Sequence, residues 1–497
     1  MADAADFSER PPADFDWSAE RWRELGGRFV ELAAAVSTDW ERRPPAPVGD
    51  EDVAARFRQP LPEAPVDLSE LIDRLERDVA PLSTYNGHPR FFGYITASPV
   101  PVGVLADLVA SALNQNVGGW RLAPAATAIE LQTVDWLKEL LGYPPEAEGI
   151  FVSGGQMANI VAQAVFRDAK APWDTRRYGL RGPDGNAPRL RVYTSAEAHH
   201  CHEQAAELLG LGRESVRLVA VDEAYRMRVD ALRTTIAEDR ARGDLPIAIV
   251  AAAGTVGTGA IDPLADLAAV AREEDLWFHV DGAYGAFAAL APGAPPELRS
   301  LADADSIACD PHKWLYQPID AGVTLVRRPG LLERSFAFQA AYLAMQHAAG
   351  EVDLHERSPE NSRPFRALKV WLSLQAFGRS GYAAMIERNL LLAEEMERVV
   401  RETPGLTLAA PRELSIVCWR VEPPGLSDAD RLEALQDAVI RELEARGIAL
   451  VSNARLRDGR SALRACIVNF RTSEADVRAT VEASAAIGRE LAGSADF

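Results

Sequence analysis

Apolar positions along the chain fall into two kinds of run that alternate. Between about residues 81 and 360, short apolar runs (GIFVS, LRVYTS, SVRLVAV, IAIVAAAG, LWFHVD, SIACD and GVTLVRR) alternate with amphipathic stretches. The latter include VGVLADLVASALNQ, AATAIELQTVDWLKELLG and QMANIVAQAVFRDAK. Runs of roughly four to eight apolar residues fit strands buried on both faces, and the intervening helical period fits the helices that cover them. The pattern predicts an α/β fold built on a largely parallel sheet. Ligands of such sheets sit beyond the carboxyl ends of strands, so strand-end residues are where chemistry is expected.

The two ends of the chain read differently. Residues 1–80 carry two amphipathic stretches, RWRELGGRFVELAAAVSTDW and LSELIDRLERDVAPL, separated by a proline-rich segment that stops helices. Two helices make a weak independent core, so this segment is expected to pack on another domain or another subunit. Residues 361–497 read as a small α+β domain. A helix (RPFRALKVWLSLQAFG) and a second helix (YAAMIERNLLLAEEMERVVRE) precede strand-like LSIVCWRVE, helix DRLEALQDAVIRELEARG and strand-like SALRACIVNF. The chain thus divides as 1–80, 81–360 and 361–497.

Composition narrows the function. With 53 basic against 73 acidic residues the formal charge is −20, which repels phosphate backbones and argues against a nucleic-acid partner. Cys201, Cys309, Cys418 and Cys466 are scattered with no CxxC pair, so neither a disulfide framework nor a zinc ribbon is expected, and a reducing cytoplasm fits. The N-terminus lacks the apolar core of a signal peptide, and no apolar run is long enough for a membrane span.

Lysine occurs only at 138, 170, 313 and 369, so chemistry that needs an amine has four candidates. Three sit in or at the end of helices, as solvated or ion-paired charges. Lys313 follows the run SIACD, beside His312 and Trp314, where partial burial is expected; a desolvated amine is the form a Schiff base needs. Asp281 ends the strand LWFHVD. It is either a helix N-cap or the partner of a protonated ring nitrogen. Ser153-Gly154-Gly155 lies between a strand and a helix, where backbone N–H groups can meet an anion, although many strand–helix turns look alike. The cluster His199-His200-Cys201-His202-Glu203 suggests a metal, yet only His199, His202 and Glu203 can share a face and no distant ligand completes the set. An imidazole stacked on an aromatic ligand and ordinary helix-start polarity are the other readings. Thr255, in AAAGTVGTGAIDPL, is a turn residue able to donate a hydrogen bond.

In this order the segments resemble the group II pyridoxal-phosphate-dependent amino-acid decarboxylases, among them the aromatic-L-amino-acid, glutamate, histidine and diaminobutyrate decarboxylases. The likeness runs from about residue 10 to 490. ACDPHKWL carries it most specifically, supported by HPRFFGYITAS, WRLAPAATAIELQTVDW, VSGGQMAN, EAHHC, GTVGTGAIDP, HVDGAYG and RPFRALKVW. The resemblance implies the fold-type-I PLP-dependent transferase architecture: an N-terminal extension, a large domain with a seven-stranded, mostly parallel sheet, and a small α+β C-terminal domain. It also implies an intertwined homodimer, with residues 1–80 as its dimerisation segment, and pyridoxal phosphate as cofactor with no metal. By the same resemblance Lys313 would be the Schiff-base lysine, Asp281 would pair with the pyridine nitrogen, and His199 would stack on one ring face with Ala283 beneath the other. Gly155, Gln156 and His312 would hold the phosphate, and Thr255 would lie at the ring edge.

The chain departs from that family in two places. The family's mobile loop carries a tyrosine thought to protonate Cα; the corresponding stretch, AAYLAMQHAAGEVDLHERSPENSRP, is shorter and puts Leu354 there, beside His355. The proton would then come from His355, His347 or His199. Relatives without the tyrosine can become aldehyde synthases, which consume O₂ and release ammonia, so that outcome is the alternative to amine formation. An aminotransferase and a catalytically dead homologue that acts by binding are further alternatives. The substrate pocket has Asn86, Ile95 and Gly118 where aromatic decarboxylases have aromatic residues, while Phe92, Tyr94 and Trp120 remain. A roomier, more polar pocket is expected, with an aromatic amino acid as the leading substrate.

Overall fold

The computed structural model describes residues 15–49, 52–338 and 350–494. Each of the seven apolar runs is a strand: β1 (Glu148–Val152), β2 (Leu190–Ser195), β3 (Val216–Val219), β4 (Leu245–Ala252), β5 (Trp277–Asp281), β6 (Ser306–Cys309) and β7 (Gly322–Val326). They form one sheet in the order β1-β7-β6-β5-β4-β2-β3. Strand β7 runs antiparallel to both its neighbours, and every other pair is parallel. Because β7 opposes both β1 and β6, those two point the same way. The carboxyl ends of β1, β2, β4, β5 and β6 therefore open on one edge of the sheet, and the ends of these strands and the segments that follow them carry all the residues that the resemblance assigned to the cofactor.

Helices bury the sheet. The helix Gly155–Lys170 packs along β4 to β7, and helices Val229–Ala241 and Leu264–Glu273 pack on β4. Val161, Ala162, Val165 and Phe166 are among the buried residues of the first of these, at a helical spacing that places them on one side. Full burial of a residue such as Phe166 contributes roughly 1.5–3 kcal/mol.

A second, antiparallel sheet lies in the C-terminal part. It comprises β8 (Leu406–Leu408), β9 (Ile416–Val421), β10 (Ser452–Arg455) and β11 (Ser461–Cys466), ordered β10-β11-β9-β8. The two edge strands escape a hydrophobic-pattern reading, one being three residues long and the other mostly polar. The paired helices expected after Arg363 are one run, Ala367–Glu402, broken at Gly378 (φ 65°, ψ 172°), a left-handed conformation that glycine adopts without strain. The run begins at Ala367 rather than Arg363, because Arg363 is used otherwise. Its side chain is buried in an ion pair with Glu130 and donates to the carbonyls of Val117 and Phe151.

Phe92 is a correction. It does not line a pocket. Its N–H donates to Leu450 O and its carbonyl accepts from Cys466 N–H, so residues 91–92 extend the small sheet. Its ring is fully buried in the C-terminal core with residues such as Trp419, Leu463 and Met396. Among the described residues no helix is long and apolar enough to cross a membrane.

Candidate active site

The edge formed by the strand ends encloses a cavity of about 330 Å³. Its lining includes Gly155, Gln156, His199, Thr255, Asp281, Ala283, His312 and Lys313, which is every residue the resemblance assigned to the cofactor. The chain brings them from five separate segments, so only the fold unites them.

Lys313 sits in the short turn of helix Pro311–Trp314 that follows β6. Its side chain is 19% exposed, and Nζ lies 3.2 Å from Asp310 Oδ2. The turn is anchored from behind. Trp314 is fully buried, stacks on Tyr284 at 4.8 Å, and donates its indole N–H to Asn389 Oδ1; Tyr316 donates to the same oxygen. The other three lysines are committed elsewhere. Lys138 is buried, not solvated, and caps the carbonyls of Pro145 and Ala147; Lys170 pairs with Asp275 and Lys369 with Asp107.

Asp281, at the end of β5, accepts from His202 Nε2 (3.1 Å) and Asn159 Nδ2 (3.2 Å) on Oδ2, and from Ala283 N–H (3.1 Å) on Oδ1. Burial pushes this carboxyl up, but the His202 hydrogen bond, the nearby Lys313 ammonium and the Ala283 N–H outweigh it. The net effect holds the group well below the usual carboxylate range, so it is an anion at neutral pH. His199 moves the other way. Burial, then the neighbouring His200, lower it to about 4, so its ring is neutral. Its Nδ1 accepts the Cys201 N–H, which leaves the proton on Nε2. Burial also lowers His312, whose Nδ1 accepts the Ala321 N–H.

The helix Gly155–Lys170 starts with no side-chain cap, so its first N–H groups face the cavity edge free to bind an anion. Gln156 reaches Gln204 through its amide. Thr255 is held within its turn, accepting the Ala260 N–H and facing the Thr258 hydroxyl.

Several lining residues were given no role by the sequence: Asn159, Tyr284 and Asp310, while Cys201 and His202 were read only as part of the His-Cys cluster. Asp310 stands three residues before Lys313, and a helical turn was the signal that could have found it. The distant group missing from the His-Cys cluster is Asp281, which lies within 4.8 Å of ligand atoms of Cys201 and His202. That trio is knit by hydrogen bonds. Asn159 also donates to Cys201 Sγ, and burial pushes this thiol well above its ordinary value.

The expected substrate pocket does not assemble at this cavity. Asn86, Phe92, Tyr94, Ile95, Trp120, Leu354 and His355 are all absent from its lining. Tyr94 is 70% exposed and its backbone is tied to Ser452 and Arg464. The Asn86 carbonyl meets Asn469. Ile95 is half-buried against the large core. Trp120 N–H donates to Asp353, and both His355 N–H and His355 Nδ1 meet the Gly118 carbonyl, so segments 116–120 and 353–363 form one unit. Leu354 is buried within it. His347 lies outside the described residues.

The pyridoxal-dependent decarboxylase conserved domain matches residues 51–422. The chain is 35% identical to an aromatic-L-amino-acid decarboxylase of Bacillus atrophaeus over 92% of its length and 93% of the relative's. It is 32% identical to an L-2,4-diaminobutyrate decarboxylase of Rhizobium meliloti (strain 1021), covering 87% and 84% of the two chains. Among solved structures, Oryza sativa TDC with PLP and tryptamine superposes with a TM-score of 0.89 at 25% identity, covering 97% of this chain and all of that one. A catalytic lysine candidate, an anionic strand-end carboxylate and a neutral histidine around one cavity define a pyridoxal-phosphate enzyme of fold type I. The chain belongs to the pyridoxal-dependent decarboxylase family, whose members are carboxy-lyases acting on amino acids.

The residues present fit that cofactor. A Cβ at Gly155 would stand 2.8 Å from Asp310 Oδ2 and 2.9 Å from Ala283 Cβ, so only glycine leaves this part of the cavity open. Buried Asp310 Oδ1 has no partner among the described residues. Amine, carboxylate, flat neutral ring and uncapped helix start match the aldehyde, ring nitrogen, ring face and phosphate in turn.

Proposed function

We propose that this decarboxylase acts on an aromatic L-amino acid, releasing CO₂ and the amine, as a cytoplasmic homodimer. The observation that carries the site assignment is the convergence of Lys313, Asp281 and His199 on one cavity. Pyridoxal phosphate, when bound, supplies the electron sink that accepts the pair left by departing CO₂. Lys313 holds the cofactor through its amine. Asp281 keeps a proton at the ring nitrogen, His199 covers one ring face, and the first turn of helix Gly155–Lys170 with His312 binds the phosphate. The relatives include an aromatic-L-amino-acid decarboxylase and an L-2,4-diaminobutyrate decarboxylase, and the higher identity to the first, 35% against 32%, favours an aromatic side chain.

Two features support the dimer. Leu105, Leu108, Val109 and Leu113 leave one helix about half exposed, an apolar stripe that a partner would cover. The expected substrate residues Trp120 and His355 miss the cavity of their own subunit, and a second copy would receive them. Four free, buried cysteines suit a reducing compartment.

Proton return separates amine from aldehyde. Leu354 has no proton to give. His355 Nδ1 donates to the Gly118 carbonyl, and its buried Nε2 has no partner among the described residues; in its imidazolium form that nitrogen carries a second proton, and we assign His355 in that form as the residue that returns a proton to Cα. Leu354 also favours the second reading, oxidative loss of ammonia. The test is simultaneous CO₂ and ammonia release across a panel of L-amino acids. CO₂ without ammonia, greatest for an aromatic substrate, is the expected result; equal ammonia would make the protein an aldehyde synthase, and a preference for diaminobutyrate would overturn the substrate class.

A further inference from the structure

One buried histidine beside the cavity has no part in the roles above. His202 lies three residues after His199, in the first turn of helix Cys201–Leu208, and is 1% exposed. Its Nε2 is 3.1 Å from Asp281 Oδ2. The other nitrogen tells which one carries the proton. Gln163 Nε2 lies 3.3 Å from the His202 carbonyl oxygen and 3.4 Å from His202 Nδ1. A carbonyl only accepts, so the Gln163 group facing it is the amide N–H. The same N–H meets Nδ1, which is therefore the bare nitrogen. The proton sits on Nε2 and is donated to Asp281.

A second arm ends on the same oxygen. The Trp277 indole N–H donates to Ser306 Oγ, which faces His279 Nδ1; His279 Nε2 meets Asn159 Oδ1, each contact being 2.8 Å. Asn159 Nδ2 then donates to Asp281 Oδ2. An indole nitrogen only donates and an amide oxygen only accepts, so the chain runs in one direction.

We propose that His202 is a positioning residue: its Nε2–H, with the Asn159 amide, holds Asp281 Oδ2 and leaves the proton shared between Asp281 and the cofactor's pyridine nitrogen on the nitrogen. This rests on the reading of Asp281 as that nitrogen's partner. Two bases that share a proton divide it by their relative basicity. Donors aimed at a carboxylate lower its basicity, so the proton stays with the ring and the ring stays an electron sink. Without His202, Oδ2 loses one of its two side-chain donors in a buried site, and Asp281 competes for the proton.

The test uses holoenzyme loaded with pyridoxal phosphate labelled with nitrogen-15 in the ring, read by solid-state NMR. Wild type is expected to give a protonated ring-nitrogen resonance. His202→Gln, which keeps an amide donor, is expected to retain it. His202→Phe is expected to shift the shared proton toward Asp281 by roughly tenfold, the scale of one charge-assisted hydrogen bond. An unchanged protonated resonance in His202→Phe overturns the proposal. So does a His202 ring that carries its proton on Nδ1 alone in histidine-labelled wild type, a measurement that needs no variant. A wild-type ring nitrogen that does not respond to Asp281→Asn would instead overturn the underlying pairing, and the proposal with it.

Discussion

Asp281 is held by three donors that come from three different parts of the chain. A buried carboxylate with no partner would cost several kcal/mol, so these donors are what allow an anion at the end of β5. The sequence made Asp281 visible through its place before Gly282-Ala283-Tyr284. His202 was visible only as part of a histidine cluster, and its partner, 79 residues away, was not. Lys313 was legible because only four lysines exist; the Asp310 beside it was not, since its contact depends on a turn. His279 makes a prediction at this scale. Burial first, then His202, lower it to about 3, below the value near 6.5 of an unfolded histidine. The unfolded chain therefore binds more protons between those limits. The stability from neutral burial is present above about pH 6.5 and lost as pH falls toward 3, by roughly 1.4 kcal/mol per pH unit. His88 shifts the same way, to about 4. The thermal midpoint should drop steeply from pH 6.5 to 4.5; a flat profile there would contradict neutral burial.

The seven large-sheet strands and the glycine-broken C-terminal helix pair were legible as elements, because continuous apolar runs mark doubly covered strands. The edge strands β8 and β10 were not, because an edge needs few apolar residues. Neither was the use of Arg363, which reads as an ordinary helix-start charge. In the fold it joins the 116–118 segment, β1 and helix Pro124–Leu140 through Val117, Phe151 and Glu130. Removing one partner of such a pair strands a buried charge, typically at about 3–5 kcal/mol. Arg363→Met should lower the urea midpoint accordingly, and Arg363→Met with Glu130→Met should recover most of the loss. Equal midpoints for wild type and the single variant would show that the pair does not hold these elements together.

At the scale of the molecule, the cavity that gathers Lys313, Asp281 and His199 is lined by residues of one chain, and the expected substrate residues are not at it. Sequence order could not reveal this, because alignment to a family names residues without saying which subunit they serve. If a second copy completes the site, Leu108→Glu with Val109→Glu should reduce the dimer in sedimentation and cut turnover at least tenfold, while cofactor colour persists at Lys313. A monomeric, fully active wild type would refute the dimer. The most direct test of the whole account exploits the scarcity of lysine. Borohydride reduction of the holoenzyme fixes pyridoxal phosphate to the lysine that carries it, and peptide mass spectrometry finds that lysine. The account predicts the added mass on Lys313 alone, with Lys313→Ala taking up none and losing turnover; label on Lys138, Lys170 or Lys369, or turnover surviving in Lys313→Ala, would contradict it.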